Sequence, residues 1–138
     1  MDKIFLDTDV ILDFLLDRDP HSKDSTLLFN LSEQEKIKIV VSSLSYNNIY
    51  YITRKFIGHK EAINVLRSLS ELTEISEVNA KIIKNALMSN FNDFEDGVQY
   101  FSAENEGTVK AIITRNIQDY KHSEIAVFTP EDYLKSLE

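Results

Sequence analysis

The stretch KIFLDTDVILDFLL, residues 3 to 16, passes from strand to helix periodicity with no turn between them. Residues 3 to 6 read as a short buried strand, and from Asp9 the apolar Val10, Ile11, Phe14 and Leu15 fall at helical spacing. The seam between the two carries Asp7, Asp9 and Asp13. The same alternation recurs down the chain. IKIVVS (37 to 42), VKAIITR (109 to 115) and IAVFT (125 to 129) read as strands, with a short one expected near Glu74 and Ile75. Ser22 is the expected N-cap of a helix carrying Leu27, Leu28, Phe29 and Leu31. Helical spacing also covers 43 to 56 and, after a break at Gly58, 60 to 72. It returns over 77 to 88, over 93 to 104 with Asp93 as cap, and after Pro130. Strands alternating with helices imply right-handed crossovers. The expected fold is α/β: a three-layer α/β/α domain with a central parallel sheet of four to five strands, single over 1–138.

Composition narrows the chemistry. With no cysteine, the 138 residues hold no disulfide, thiolate metal site or Cys nucleophile. No signal-peptide pattern follows Met1 and no apolar run approaches membrane thickness, so the expectation is a cytoplasmic chain, complete from Met1, with no membrane partner. A net charge of −8 speaks against a general polyanion-binding surface. Where acids gather to hold divalent cations, part of that charge belongs to a site whose loaded form is much less negative.

In open parallel sheets, sites form at the carboxyl ends of strands, near the place where strand order reverses. Asp7 follows the first strand directly; Asn116 and Asp119, in TRNIQDY, follow the VKAIITR strand within a turn; Asp96, in NDFEDGVQYF, lies in the first turns of the preceding helix. Each has an ordinary reading. Asp7 or Asp9 can cap the first helix, Asp93 the later one, and Asp119 can serve a turn. Taken together they suggest more, because carboxylates sharing a small volume repel unless one is protonated or a cation intervenes. Oxygen-only ligands favour Mg2+ or Mn2+, which polarise phosphoryl oxygens and activate water. Phosphodiester hydrolysis is the chemistry that follows.

These residues resemble the PIN domain, the nuclease fold of VapC-type bacterial toxins, over essentially the whole chain. FLDTDVILD is similar to the family's opening strand, Asp-Thr-Asn and apolar helix; DFEDGVQYFSA resembles the helix whose Asp precedes an alanine seven residues on, here Asp96 and Ala103; IITRNIQDY resembles a Thr-Arg-Asn segment closing in Asp-Phe. The resemblance implies metal-dependent cleavage of RNA, with Asp7, Asp96 and Asp119 as magnesium or manganese ligands. It implies that Asn116 either lends a carbonyl oxygen or orients Thr114. It also implies, as partners, a second copy of the chain and a small antitoxin. The family's usual Glu on the helix after the second strand is Asn48 here. An amide carries no formal charge and cannot act as a general base, so lower metal affinity and turnover are expected, with Asp9 in partial compensation.

For RNA contact, Arg54, Lys55, His59 and Lys60 cluster after the Asn48 helix, Arg115 adjoins the fourth-strand motif, and Tyr50 and Tyr51 are candidates for base stacking. His21 and His122 lack metal-ligand spacing. Two other readings stand beside the nuclease. IFLDTDVILD is similar to the opening of haloacid-dehalogenase-like phosphatases, with Asp7 as nucleophile, although Val10 and Ile11 stand where those enzymes carry Gly and Thr. The other is a PIN-like protein that, lacking the Glu, only binds RNA or an antitoxin.

Overall fold

The structure, a computed structural model, describes residues 1–138. The strands are β1 (Asp2–Leu6), β2 (Ile37–Ser42), β3 (Glu74–Ser76), β4 (Val109–Ile113) and β5 (Ala126–Phe128). The helices are α1 (Thr8–Leu15), α2 (Ser22–Glu33), α3 (Ser43–Leu72), α4 (Ala80–Leu87), α5 (Phe94–Glu106) and α6 (Pro130–Ser136). A single 3-10 turn, Ile117–Tyr120, lies between β4 and β5. All five strands pair in parallel in one sheet of order β3-β2-β1-β4-β5. The order reverses between β1 and β4, so their carboxyl ends flank the crevice in which such sheets place their sites.

The apolar runs are strands because both faces of the sheet are covered. Ile4, Leu6, Ile39, Val41 and Ile113 point to one side, against Val10, Ile11 and Leu12 of α1, Leu28 and Phe29 of α2, and Ile49 and Leu69 of α3. Alternating with them, Phe5, Val40 and Ile112 point to the other, against Tyr100 and Ala103 of α5 and against Tyr120. Ala103, fully buried, lets α5 lie close to the strands and so brings its N-terminus to the sheet edge.

Local chemistry sets the boundaries. Asp7, Ser42, Asn79, Asp93 and Thr129 each cap the helix that follows by accepting a backbone N–H. The Asn79 cap starts α4 at Ala80, three residues later than expected at 77. Ser22 is a further correction: its amide is taken by the Arg18 carbonyl at 2.8 Å, so it sits inside α2 and His21 precedes the helix without a side-chain bond. The break at Gly58 is a sharp kink within α3, at φ 80° and ψ 172°, a left-handed conformation that favours glycine. No helix is long and apolar enough to cross a membrane.

Asp13, fully buried on α1, receives Arg18 Nε at 2.9 Å on Oδ1. Arg115 places Nε 3.0 Å from Oδ2, poorly aligned for a hydrogen bond, and donates through its terminal nitrogen to Oδ1 at 3.2 Å. Arg115, expected as an RNA-facing cation, therefore ties the end of β4 to α1. Replacing Asp13 with Asn leaves two guanidinium groups without their carboxylate and is expected to cost on the order of 3 kcal/mol in urea unfolding.

Candidate active site

Asp7 is fixed from every side. Its amide donates to the Ile113 carbonyl at 3.0 Å, which pins the end of β1 to the end of β4. Its Oδ1 accepts from the Thr8 amide at 2.8 Å, and its Oδ2 accepts from the Thr114 hydroxyl at 3.0 Å. It is thus both the cap of α1 and part of an acidic cavity. That cavity, about 530 Å3, is lined by Asp7, Asp9, Asp93, Glu95, Asp96 and Asp119 together with Asn48 and Tyr51.

The remaining expected residues fall around it. Asp96 stands in the first turn of α5, whose cap Asp93 accepts its amide at 3.0 Å. Asp119 is exposed on the 3-10 turn and accepts from Asn116 Nδ2 at 3.1 Å. Asn116 Oδ1 is occupied by the Gln118 amide at 3.2 Å, and its own amide donates to the Thr114 hydroxyl at 3.2 Å. Of the two alternatives for Asn116, the contacts favour orientation: it steadies Thr114 and Asp119 and does not line the cavity. Thr114, buried, holds Asp7. Asp9 faces Arg18, 3.7 Å from a guanidinium nitrogen. Tyr51 lines the rim, 52% exposed, with the Arg54 guanidinium 5.5 Å from its ring centre and 5.8 Å from that of Tyr50.

Two groups went unread in the sequence. Glu95 reaches across to α3, where Asn48 Nδ2 donates to its Oε1 at 2.8 Å. Beneath the acids, Gln99 is fully buried and donates to the Thr8 hydroxyl at 3.0 Å and the Ser45 hydroxyl at 2.8 Å, while Ser42 donates to its carbonyl oxygen. The available signal was helical: Gln99 lies three residues after Asp96, on the same face of α5.

Electrostatics follow from this crowding. Burial pushes Asp7 up to about 6; the charges of Asp9 and Glu95 add to it, against the hydrogen bonds from Thr114 and Thr8. Burial and the charges of Asp7, Asp93, Asp119 and Glu95 push Asp96 up to about 7. Glu95 is also raised, by burial and then by Asp93. Asp7, Asp93, Glu95, Asp96 and Asp119 take part in no ion pair. The acids line one cavity, but no three of them close up as a coordination shell. Nearby, the Tyr120 hydroxyl is buried without a hydrogen-bond partner and feels the negative field of Asp7, Asp96 and Asp119.

The sequence matches the PIN domain family over residues 3–118. The chain belongs to that family. It is 27% identical over 137 residues to Ribonuclease VapC1 of Aquifex aeolicus, covering 96% of this chain and 93% of that protein. Its fold is similar to that of a toxin-antitoxin complex from Klebsiella pneumoniae, with a TM-score of 0.68, 16% identity and coverage of 92% and 97% of the two chains. DNA-bound VapBC from Salmonella typhimurium is similar at a TM-score of 0.67, with 15% identity and coverage of 94% and 99%. Mycobacterium tuberculosis VapC20, a sarcin-ricin loop cleaving toxin, also gives 0.67, with 13% identity and coverage of 86% and 94%. Within this PIN fold the expected three-layer architecture holds, with five strands in the parallel sheet.

The raised carboxyls make a stability prediction. Between the ordinary 3.8 and about 7, the folded chain retains a proton on Asp96 that the unfolded chain releases, so stability falls as pH rises through that window. Asn at this position has no proton to lose. In chelator, Asp96→Asn is expected to melt higher than the parent at about pH 8, with the advantage vanishing toward about pH 4.

Proposed function

We propose that this chain is a Mg2+- or Mn2+-dependent endoribonuclease, the toxin of a toxin-antitoxin pair. The observation that carries the reading is the placement of Asp7, Asp96 and Asp119 on one cavity at the switch point of a PIN fold. The donor set fits such an ion: Asp7, Asp96 and Asp119 offer carboxylate oxygens on one cavity, and none of the three is paired with a Lys or Arg. Asp7, Asp96 and Asp119 would hold it. A divalent ion supplies Lewis-acid polarisation of a phosphoryl oxygen and activation of a water nucleophile.

The chain's own residues supply the rest. The Thr114 hydroxyl and Thr8 amide keep Asp7 oriented toward the cavity, and Asn116 keeps Asp119 on its turn. At the rim, Tyr51 offers a face for an unstacked base and Arg54 a charge for the adjacent phosphate. VapBC structures among the fold relatives, and a toxin-antitoxin complex, support an antitoxin as partner, and a second copy of the chain is proposed beside it. The phosphatase reading of Asp7 loses its ground with membership in the PIN family. The binding-only reading draws on Asn48, which brings no charge of its own to the cavity wall.

Purified protein with Mn2+ or Mg2+ is expected to cleave structured RNA, and chelator to stop it. Asp7→Asn and Asp96→Asn are each expected to lower the rate by on the order of 10²-fold or more, the scale of losing one preorganised charge-stabilising group. RNA binding without cleavage by the parent protein favours the binding-only reading, and undiminished cleavage by both variants refutes the site.

A further inference from the structure

Asn48 stands on the cavity wall formed by α3, and the group it holds is a carboxylate from another element, Glu95 at the start of α5. Successive residues of a helix point about 100° apart. Glu95 and Asp96 therefore enter the cavity from different directions, and the Glu95 carboxylate meets α3 at Asn48. Only its Oε1 is engaged, by Asn48 at 2.8 Å; Oε2 has no protein partner, and no Lys or Arg pairs with the side chain. Its charge is nevertheless felt at both Asp7 and Asp96, which places it within the field of the same cavity. A solvent-facing Glu with one oxygen tethered to a neutral amide, held among acids that repel it, is placed at an electrostatic cost. A ligand cation offsets that cost.

We infer that Glu95 is a further metal-coordinating acid of this cavity, and that Asn48 is its positioning residue, donating from α3 to Oε1 and leaving Oε2 free of protein partners. The inference rests on the metal-dependent reading above. It assigns Asn48 an active part: the amide, which cannot contribute charge, directs a carboxylate that can. It also separates the two neighbouring acids by role, Asp96 serving the sheet side of the cavity and Glu95 the α3 side.

Mn2+ affinity, measured by calorimetry on the intact chain, tests this apart from activity. Glu95→Gln is expected to weaken Mn2+ binding by roughly 10-fold or more, in the range seen when groups supporting a metal site are removed. Its unfolding in chelator should match or exceed the parent's, since it removes a repelling charge. The exchange Asn48→Glu with Glu95→Gln returns a carboxylate to the same wall from the other helix and is expected to recover most of the affinity. Asn48→Leu is expected to weaken binding in the parent but to add nothing to Glu95→Gln. Unchanged affinity in Glu95→Gln overturns the inference, as does an exchange variant no better than Glu95→Gln; additive losses for Asn48→Leu and Glu95→Gln overturn the positioning role. Asp7→Asn distinguishes the two levels. If it abolishes Mn2+ binding while Glu95→Gln leaves the affinity unchanged, only this inference falls; if it leaves binding intact, the metal site itself is wrong.

Discussion

Repulsion among Asp7, Glu95, Asp96 and Asp119 is the constraint around which this molecule is arranged. Free side chains of like charge move apart, and these cannot move far. Asp7 is held at its backbone by β4 and at both carboxylate oxygens by Thr8 and Thr114. Asp96 is carried on a helix whose first turn is fastened by the Asp93 cap. Asp119 sits on a turn closed by Asn116. The opposing free energy comes from elsewhere: two apolar faces of a five-stranded sheet, each covered by helices, fix the elements whose ends carry the acids. Burial raises the carboxyls of Asp7 and Asp96, and the charges of their acidic neighbours raise them further.

The polar floor under the cavity explains how three separate elements keep their angle. Gln99 on α5 joins Thr8 at the start of α1 to Ser42 and Ser45 at the start of α3. All four are buried, so each bond lost leaves a donor or acceptor without water to replace it. An apolar residue at 99 would fill the space but supply none of this directionality. The network therefore fixes the relative orientation of Asp7, Asn48 and Asp96 more tightly than close packing alone.

Much of this was legible in the order of residues. β1, β2 and β4 stand out as apolar runs because they are covered on both faces, and Asp7, Asp96 and Asp119 stand out because strand ends and helix starts place them together. The misreadings have a common cause. Glu95 and Asn48 are 47 residues apart, Gln99 and Thr8 are 91 apart, and Arg115 and Asp13 are 102 apart. Nothing local distinguishes an Arg that faces RNA from one that neutralises a buried Asp, or a Gln on a polar surface from one inside a core. Periodicity gives the face of a helix; it does not give the partner on the other side. Asn48, viewed alone, is a lost charge, and only the fold shows that its neighbour across the cavity is a carboxylate.

The same charge pattern bears on how a polyanion is received. With a net charge of −8 and a cavity whose acids, Asp9 apart, meet no cation, the chain repels a phosphodiester at the place where the proposed reaction occurs. Arg54 lies against Tyr51 of the rim and against Tyr50, while Arg18 and Arg115 are engaged by Asp13 and Arg18 also meets Asp9. On the metal-dependent reading, a divalent ion changes the sign of this field locally before any chemistry takes place. Ion and RNA then favour each other's binding, and the coupling is reciprocal: RNA must raise the affinity for the ion by the same factor that the ion raises the affinity for RNA. On that reading the acidic cavity itself holds the chain off nucleic acid until an ion is bound.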